Sequence, residues 1–301
     1  MKQLFAWCQL LRAGNSFTAA SNVIAGFLVV QAAWQPLGPL VALIVTSVLL
    51  YAAGMVLNDA LDAPLDAVER PERPIPSGRV SRGAALVVGW TLLVLGVACG
   101  WFASWLTANP RAGIVGVLLA ICIVHYDVGL KSTPLGPFTM GLCRSLNVLL
   151  GASVADSFGP AAWTIAGLVG VYTMGVTYFA RAENVEEDTL NHLVGEALIG
   201  AAIVGLLVFP MSLAEENQFR VSAMWWVGCW LVVFLATGGS AWLTNREVTS
   251  ASFHRRVTAL LCGFILIDAC ASVAVAGWLA GLIVLALWPL TWIASRFVPM
   301  T

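Results

Sequence analysis

Eight apolar runs, each bounded by charge, proline or glycine, occupy residues 17–35, 38–57, 84–106, 112–126, 135–154, 161–180, 194–212 and 222–243. A ninth run of 42 residues fills 257–298. A bilayer core about 30 Å thick takes about 20 apolar residues as a helix, so each of the eight crosses once and the ninth is long enough for two crossings. Its middle, Ala276-Gly277-Trp278, is the one place where it offers a turn, which gives ten spans with it and nine without. With 59% apolar and 10% charged residues and a mean hydropathy of +0.87, the composition excludes most soluble folds. The expected fold is all-α: a polytopic transmembrane helical bundle forming a single domain over residues 1–301.

Charge then orients the bundle. Fifteen Lys and Arg against sixteen Asp and Glu leave a net charge of −1, which argues against nucleic acid as a partner. With ten spans, twelve cationic residues fall on the side of the N-terminus, including Lys2, Arg12, Arg70, Arg73, Arg79, Arg82, Lys131 and Arg181. Only Arg111 and Arg220 fall opposite, and Arg144 lies within a span. Cytoplasmic loops collect Lys and Arg, so both termini are expected in the cytoplasm, with the bacterial inner membrane as the expected location and its lipids as neighbours. The seven cysteines form no C-x-x-C pair and sit mostly in apolar runs, which reads as reduced packing residues. The N-terminus lacks the small-residue site of a cleaved signal peptide.

The longest loop, about 59–83, carries the densest chemistry: Asn58-Asp59-Ala-Leu-Asp62-Ala-Pro-Leu-Asp66, then Arg70-Pro71-Glu72-Arg73-Pro74-Ile-Pro76-Ser77-Gly78-Arg79. If the second span continues as a helix, steps of about 100° put Asn58, Asp59, Asp62 and Asp66 within an arc of about 100°. Pro64 removes a backbone hydrogen bond and is expected to bend or restart that helix. Clustered carboxylates at the end of an apolar helix repel one another unless a cation compensates. Oxygen ligands of this kind suit Mg²⁺, which keeps waters and binds through one or two carboxylates plus phosphate oxygens. The plain alternative is a solvated acidic loop with neighbouring arginines. A second acidic cluster, Glu183-Asn184-Val-Glu186-Glu187-Asp188, follows the sixth span on the same side, and Glu183 and Glu187 are one helical turn apart.

These motifs resemble the UbiA superfamily of intramembrane prenyltransferases, and within it Gly141-Leu-Cys-Arg144-Ser-Leu-Asn147-Val-Leu-Leu-Gly151 and Thr177-Tyr-Phe-Ala-Arg181-Ala-Glu183 are most similar to the EboC branch. N-D-x-x-D-x-x-x-D followed by R-P-x-R-P-I-P-S-G-R is similar to that family's first aspartate-rich motif. Arg12 and Asn15 resemble the motif before its first helix, with Ala13 where Pro is usual, and Tyr126 to Lys131 resembles its tyrosine-lysine loop with one residue more. Glu183 and Glu187 match the acids of its second motif, D-x-x-x-D, each a methylene longer. The resemblance implies a Mg²⁺-dependent transfer of a polyprenyl group from an allylic prenyl diphosphate to an acceptor that the sequence does not identify. It places Mg²⁺ on Asp59, Asp62, Asp66, Glu183 and Glu187, with Asn58 assisting. The diphosphate would meet Arg70, Lys131 and Arg144, with Tyr126, Asn147 and Arg181 as further substrate-binding residues. A lipid-diphosphate carrier or exporter on the same fold is the alternative, because the second motif departs from the pattern.

Three features of the spans stand apart. Arg144 and Asn147, about one turn apart, must face the bundle interior, since an unpaired Arg in lipid is costly. Arg144 serves there either as a phosphate ligand or as the structural partner of an acid. Asp268 reads as a structural carboxyl deep in the ninth span. His125, His192 and His254 show no metal spacing, and most of the thirteen Trp read as interfacial anchors.

Overall fold

The computed structural model describes residues 2–181, 189–216, 219–244 and 250–297, which form helices and short turns with no strand among them. A short helix α1 (Lys2–Leu10) leads through a 3₁₀ turn at Ala13–Asn15 into α2 (Ser16–Gln31). There follow α3 (Leu37–Glu69), α4 (Arg82–Thr107), α5 (Arg111–Val128), α6 (Gly136–Ala152) and α7 (Pro160–Arg181). The second half holds α8 (Thr189–Leu207), α9 (Ala223–Thr244), α10 (Ser250–Ala276), α11 (Trp278–Leu285) and α12 (Leu287–Phe297). Among the described residues seven helices are long and apolar enough to cross a membrane: α2, α3, α4, α5, α7, α8 and α10. Shorter apolar helices at Ala223–Gly238 and Trp278–Ala294 and the 17-residue α6 complete the bundle.

Helices α2 and α10 lie at its centre, buried over most of their length. By contrast α4 turns Val87, Trp90 and Val94 outward, as a helix does when its neighbour is lipid. Two glycines set the tightest crossing. A Cβ on Gly26 of α2 would overlap the Val148 carbonyl of α6, and a Cβ on Gly151 of α6 would overlap the Val23 carbonyl of α2. Only hydrogen fits at either place, and the close approach brings the polar side chains of α6 within reach of those on α2.

The second apolar run does continue as a helix. At 33 residues α3 is about 50 Å long, so its last turns project beyond a bilayer core of about 30 Å and carry the acidic motif to the membrane face. Pro64 sits inside it without ending it. Proline has no N–H for the Ala60 carbonyl one turn back, and Arg82 Nε donates to that carbonyl instead at 2.9 Å. The long final run breaks at Gly277 (φ +82°), where the sequence offers its turn, and again at Ala286, between α11 and α12, which the sequence does not announce.

Candidate functional site

The acidic motif lies on the face of α3 that meets α5 and the turns around Arg12 and Arg73. Asp59 and Asp66 are almost fully buried and Asp62 is half-buried. Such burial of carboxylates requires compensation, and it comes from three directions. Arg12 Nη2 lies 3.6 Å from Asp59 Oδ1. Arg73 Nη1 lies 2.8 Å from Asp66 Oδ2 and 3.6 Å from Asp59 Oδ1. Lys131 Nζ donates to Asp62 Oδ1 at 2.5 Å.

Each of these cations is held by local structure. Arg12 occupies the left-handed region (φ 42°, ψ 52°), a conformation costing a non-glycine residue of order 1 kcal/mol, and this turns the chain between α1 and α2 toward Asp59. A small separate core of Ala6, Leu10, Val56, Ala60, Ile75, Val80 and Ala85 fastens α1 and the loop after α3 onto the end of α3. Arg79 Nη1 ties the same loop to α1 by donating to Gln9 Oε1 at 2.9 Å. Lys131 stands on a 3₁₀ turn (Leu130–Ser132), and its carbonyl and that of Thr133, the residue after the turn, both accept from Arg181. Arg181 therefore braces the backbone that presents Lys131 and forms no ion pair with the first acidic cluster.

Asp127, at the end of α5, is a member of the site that sequence reasoning passed over. It is buried, accepts from Asn58 Nδ2 at 3.0 Å through Oδ1, and leaves Oδ2 without a hydrogen bond. The available signal was an acid closing an apolar run between Tyr126 and Lys131. Arg70, expected on the diphosphate, is exposed at the end of α3, and Arg73, one turn on, meets Asp59 and Asp66. Glu183 and Glu187 lie outside the described residues.

Below the acids a cavity opens among α2, α3, α5 and α6. Its walls are mostly apolar, from Gly54, Met55, Leu119, Ile123 and Met140, with Tyr51, Tyr126, Asp127, Arg144 and Asn147 as polar points. Asn147 holds helices together: it accepts from Ser47 Oγ at 2.7 Å and donates to the Ala19 carbonyl at 2.8 Å. Arg144 donates to Asn22 Oδ1 and Thr18 Oγ1, each at 3.0 Å. Asn22 and Ser21 in turn donate to Asp268 Oδ2 at 2.7 and 2.6 Å.

Among the described residues no three acidic, histidine or cysteine side chains converge as a ready metal cage. The donor set nevertheless fits Mg²⁺. It is composed of hard oxygens, and Asp59 Oδ1 is buried with only long ion contacts and no hydrogen bond. The ion also needs no more than one or two carboxylates when substrate phosphate supplies the rest.

Residues 19–299 match the UbiA prenyltransferase family. The digeranylgeranylglyceryl phosphate synthase of Methanoregula boonei is 30% identical over 241 residues, covering 75% of this chain and 85% of that protein. A solved structure of a digeranylgeranylglyceryl phosphate synthase superposes with a TM-score of 0.64 at 20% identity, covering 92% of this chain and 99% of the other. A UbiA homolog from Archaeoglobus fulgidus, bound to DMAPP and Mg²⁺, gives a TM-score of 0.59 at 14% identity over 93% of this chain and 99% of its own. An apolar cavity under a cluster of acids and cations, in a chain matched over nearly its whole length, thus leads to one conclusion: the chain belongs to the UbiA prenyltransferase family and is a membrane enzyme that transfers prenyl groups.

Proposed function

We propose that the enzyme transfers a polyprenyl group from an allylic diphosphate, with Mg²⁺, to the hydroxyl of an acceptor. The single observation that carries this reading is the juxtaposition at the end of α3. Asp59, Asp62, Asp66 and Asp127 face Arg12, Arg73 and Lys131 directly above an apolar cavity. Asp59, Asp62 and Asp66 would hold Mg²⁺, with Glu183 and Glu187 assigned to the same task by their motif, and the bound ion supplies neutralisation of the leaving diphosphate.

The chain's own groups do the rest. Arg12, Arg73 and Lys131 now rest on carboxylates, and a diphosphate offers them oxygens of the same charge, so they pass from acid to phosphate as the substrate arrives. The allylic carbon–oxygen bond then breaks, with the electron pair leaving on the diphosphate. The apolar walls keep water from the cation that remains. The acceptor oxygen forms the new bond to that carbon, and its proton passes to Asp127 Oδ2, which is buried beside the cavity without a hydrogen bond. The name of the relatives points to a glyceryl phosphate hydroxyl as the first acceptor to try.

Purified protein in lipid nanodiscs, given radiolabelled geranylgeranyl diphosphate and an alkylglyceryl phosphate, should release diphosphate and form a labelled ether lipid only when Mg²⁺ is present. Tight binding of the diphosphate without release, across a panel of acceptors, would overturn this reading. Replacing Asp127 by Asn should lower the transfer rate by about 10²-fold or more while leaving diphosphate binding in place.

A further inference from the structure

Helix α10 has two faces of different chemistry. Asp268 points to α2, where Ser21 and Asn22 donate to it. At about 100° per residue, Leu266, Cys270 and Val273 lie about 140–160° around the helix from Asp268, and they form the floor of a second cavity. Helices α9 and α11 both pack along α10 and make its walls. It shares no lining residue with the cavity under the acids, so it is not part of the transfer site.

This second cavity is a trough. Its lining is aliphatic, glycine or thiol throughout, apart from Trp278. It runs about 10 Å along α10 from Val273 to Leu266, and Val232 and Leu282 on its two walls are exposed, so it opens sideways. In a chain that spans a membrane, that side is hydrocarbon. An empty trough would forfeit dispersion contacts along both walls, and a polar occupant would lose its hydration and find no partner. The occupant is therefore an alkyl chain.

One end of the trough shows what that chain is attached to. Trp225 and Trp278 meet there edge to face, with ring centroids 5.6 Å apart. Trp226 and Trp230 of α9 turn inward and donate to the Leu207 and Ile203 carbonyls, whereas the indole N–H groups of Trp225 and Trp278 have no acceptor among the described residues. Beside them the Arg220 backbone N–H donates at 2.8 Å to the carbonyl of Ala274, the residue after Val273 of the floor. The Arg220 side chain is exposed and forms no ion pair among the described residues. This end lies across the bundle from the acids, because α11 and α12 run from it back to the Ala13–Asn15 turn beside Arg12. Two indole donors at an interface and an unpaired guanidinium, all at the end of an alkyl trough, suit a phosphate carried on an acyl chain.

We propose that the trough among α9, α10 and α11 is a phospholipid site, in which one acyl chain lies between α9 and α11 and the phosphate meets Arg220 and the indole N–H groups of Trp225 and Trp278. The site is separate from the diphosphate and acceptor of the transfer reaction.

The test uses the full chain, stripped of lipid in maltoside micelles, with native mass spectrometry to count and titrate bound molecules. The probes are dioleoylphosphatidylglycerol, dioleoylglycerol, which has the same chains without the phosphate, and glycerol 3-phosphate, which has the phosphate without the chains. The wild type should bind the phospholipid at least about fivefold more tightly than the diacylglycerol, the amount expected of one arginine at a membrane surface. Arg220→Gln should bring the two lipids to within about twofold of each other. Val232→Trp, which fills the trough from its exposed wall, should weaken the phospholipid at least about tenfold by excluding the chain. Leu95→Trp, at an exposed position on α4 away from the trough, should leave the affinity unchanged.

Equal affinity of the wild type for phospholipid and diacylglycerol overturns the proposal, and that comparison decides the matter even if a variant does not fold. Equal losses in Val232→Trp and Leu95→Trp would mean a non-specific lipid annulus and overturn it as well. Glycerol 3-phosphate displacing the phospholipid at equal concentration would make the ligand a free phosphate and defeat the assignment to a lipid.

Discussion

Asp62 is the most exposed acid of the first motif and meets one cation, Lys131, so it is the carboxylate most easily exchanged between Lys131 and an incoming ion. Asp62→Asn should abolish Mg²⁺-dependent binding of a prenyl diphosphate while the protein stays folded in detergent. The loss of one ionised ligand should cost a few kcal/mol, by analogy with breaking a buried charge pair. Calorimetric titration in the presence and absence of Mg²⁺ checks this, and an unchanged Mg²⁺-dependent affinity would remove the metal role.

Arg73 gives the complementary experiment because it bridges two nearly buried carboxylates. Arg73→Ala leaves Asp59 and Asp66 short of positive charge, so the variant should unfold at a lower temperature, with a loss of about 3 kcal/mol. Mg²⁺ alone should restore part of that loss. Thermal unfolding with and without Mg²⁺ should show a larger metal-induced rise in the variant than in the wild type, and the reverse order would mean that Arg73 and the metal do not share these acids.

Helices in this bundle are positioned by what they lack as much as by what they carry. Pro64 lacks the N–H that the Ala60 carbonyl needs, and Arg82 supplies the donor from the start of the next helix. The two residues should therefore be coupled. Arg82→Met should destabilise by about 1–2 kcal/mol with Pro64 present and by clearly less in a Pro64→Ala background, where the helix regains its own donor. A double-mutant cycle that closes additively would show that Arg82 does not replace the missing bond. Gly26 and Gly151 lack the Cβ that would hold α2 and α6 apart. Gly151→Ala should lower stability by roughly 1–3 kcal/mol and, by separating α6 from α2, weaken the contacts of Arg144 with Asn22 and Thr18.

Taken as a whole, the described chain returns to where it began, because α12 packs against the Ala13–Asn15 turn beside Arg12. Seven long helices, α6, α9 and the α11–α12 pair would make ten crossings, an even number that leaves both ends on one face. From the bias of Lys and Arg toward that face we propose that it is the cytoplasmic one. Reporters fused before Met1 and after Thr301 should accordingly give the same cytoplasmic signal. A C-terminal reporter active only on the far side would reduce the count to nine.

The sequence by itself determined the class of fold and the place of the first motif. Long apolar runs have no stable state in lipid other than helices, and the spacing of Asn58, Asp59, Asp62 and Asp66 fixes a common face once a helix is granted. The same logic found the break at Gly277, where a left-handed turn suits glycine. Only the tertiary structure decided which cation meets which acid. Arg70 and Arg73 are indistinguishable as letters, and what separates them is a small core of Leu10, Ile75 and Val80 that folds the loop back on α3. Asp127 joined the site for a similar reason, since its partner Asn58 is 69 positions away in the chain. So did the depth of Arg144, which depends on two glycines letting α2 and α6 touch. Helical periodicity is local and can be read from neighbouring residues, whereas charge pairing is settled by contacts between distant segments, whose geometry no local spacing encodes.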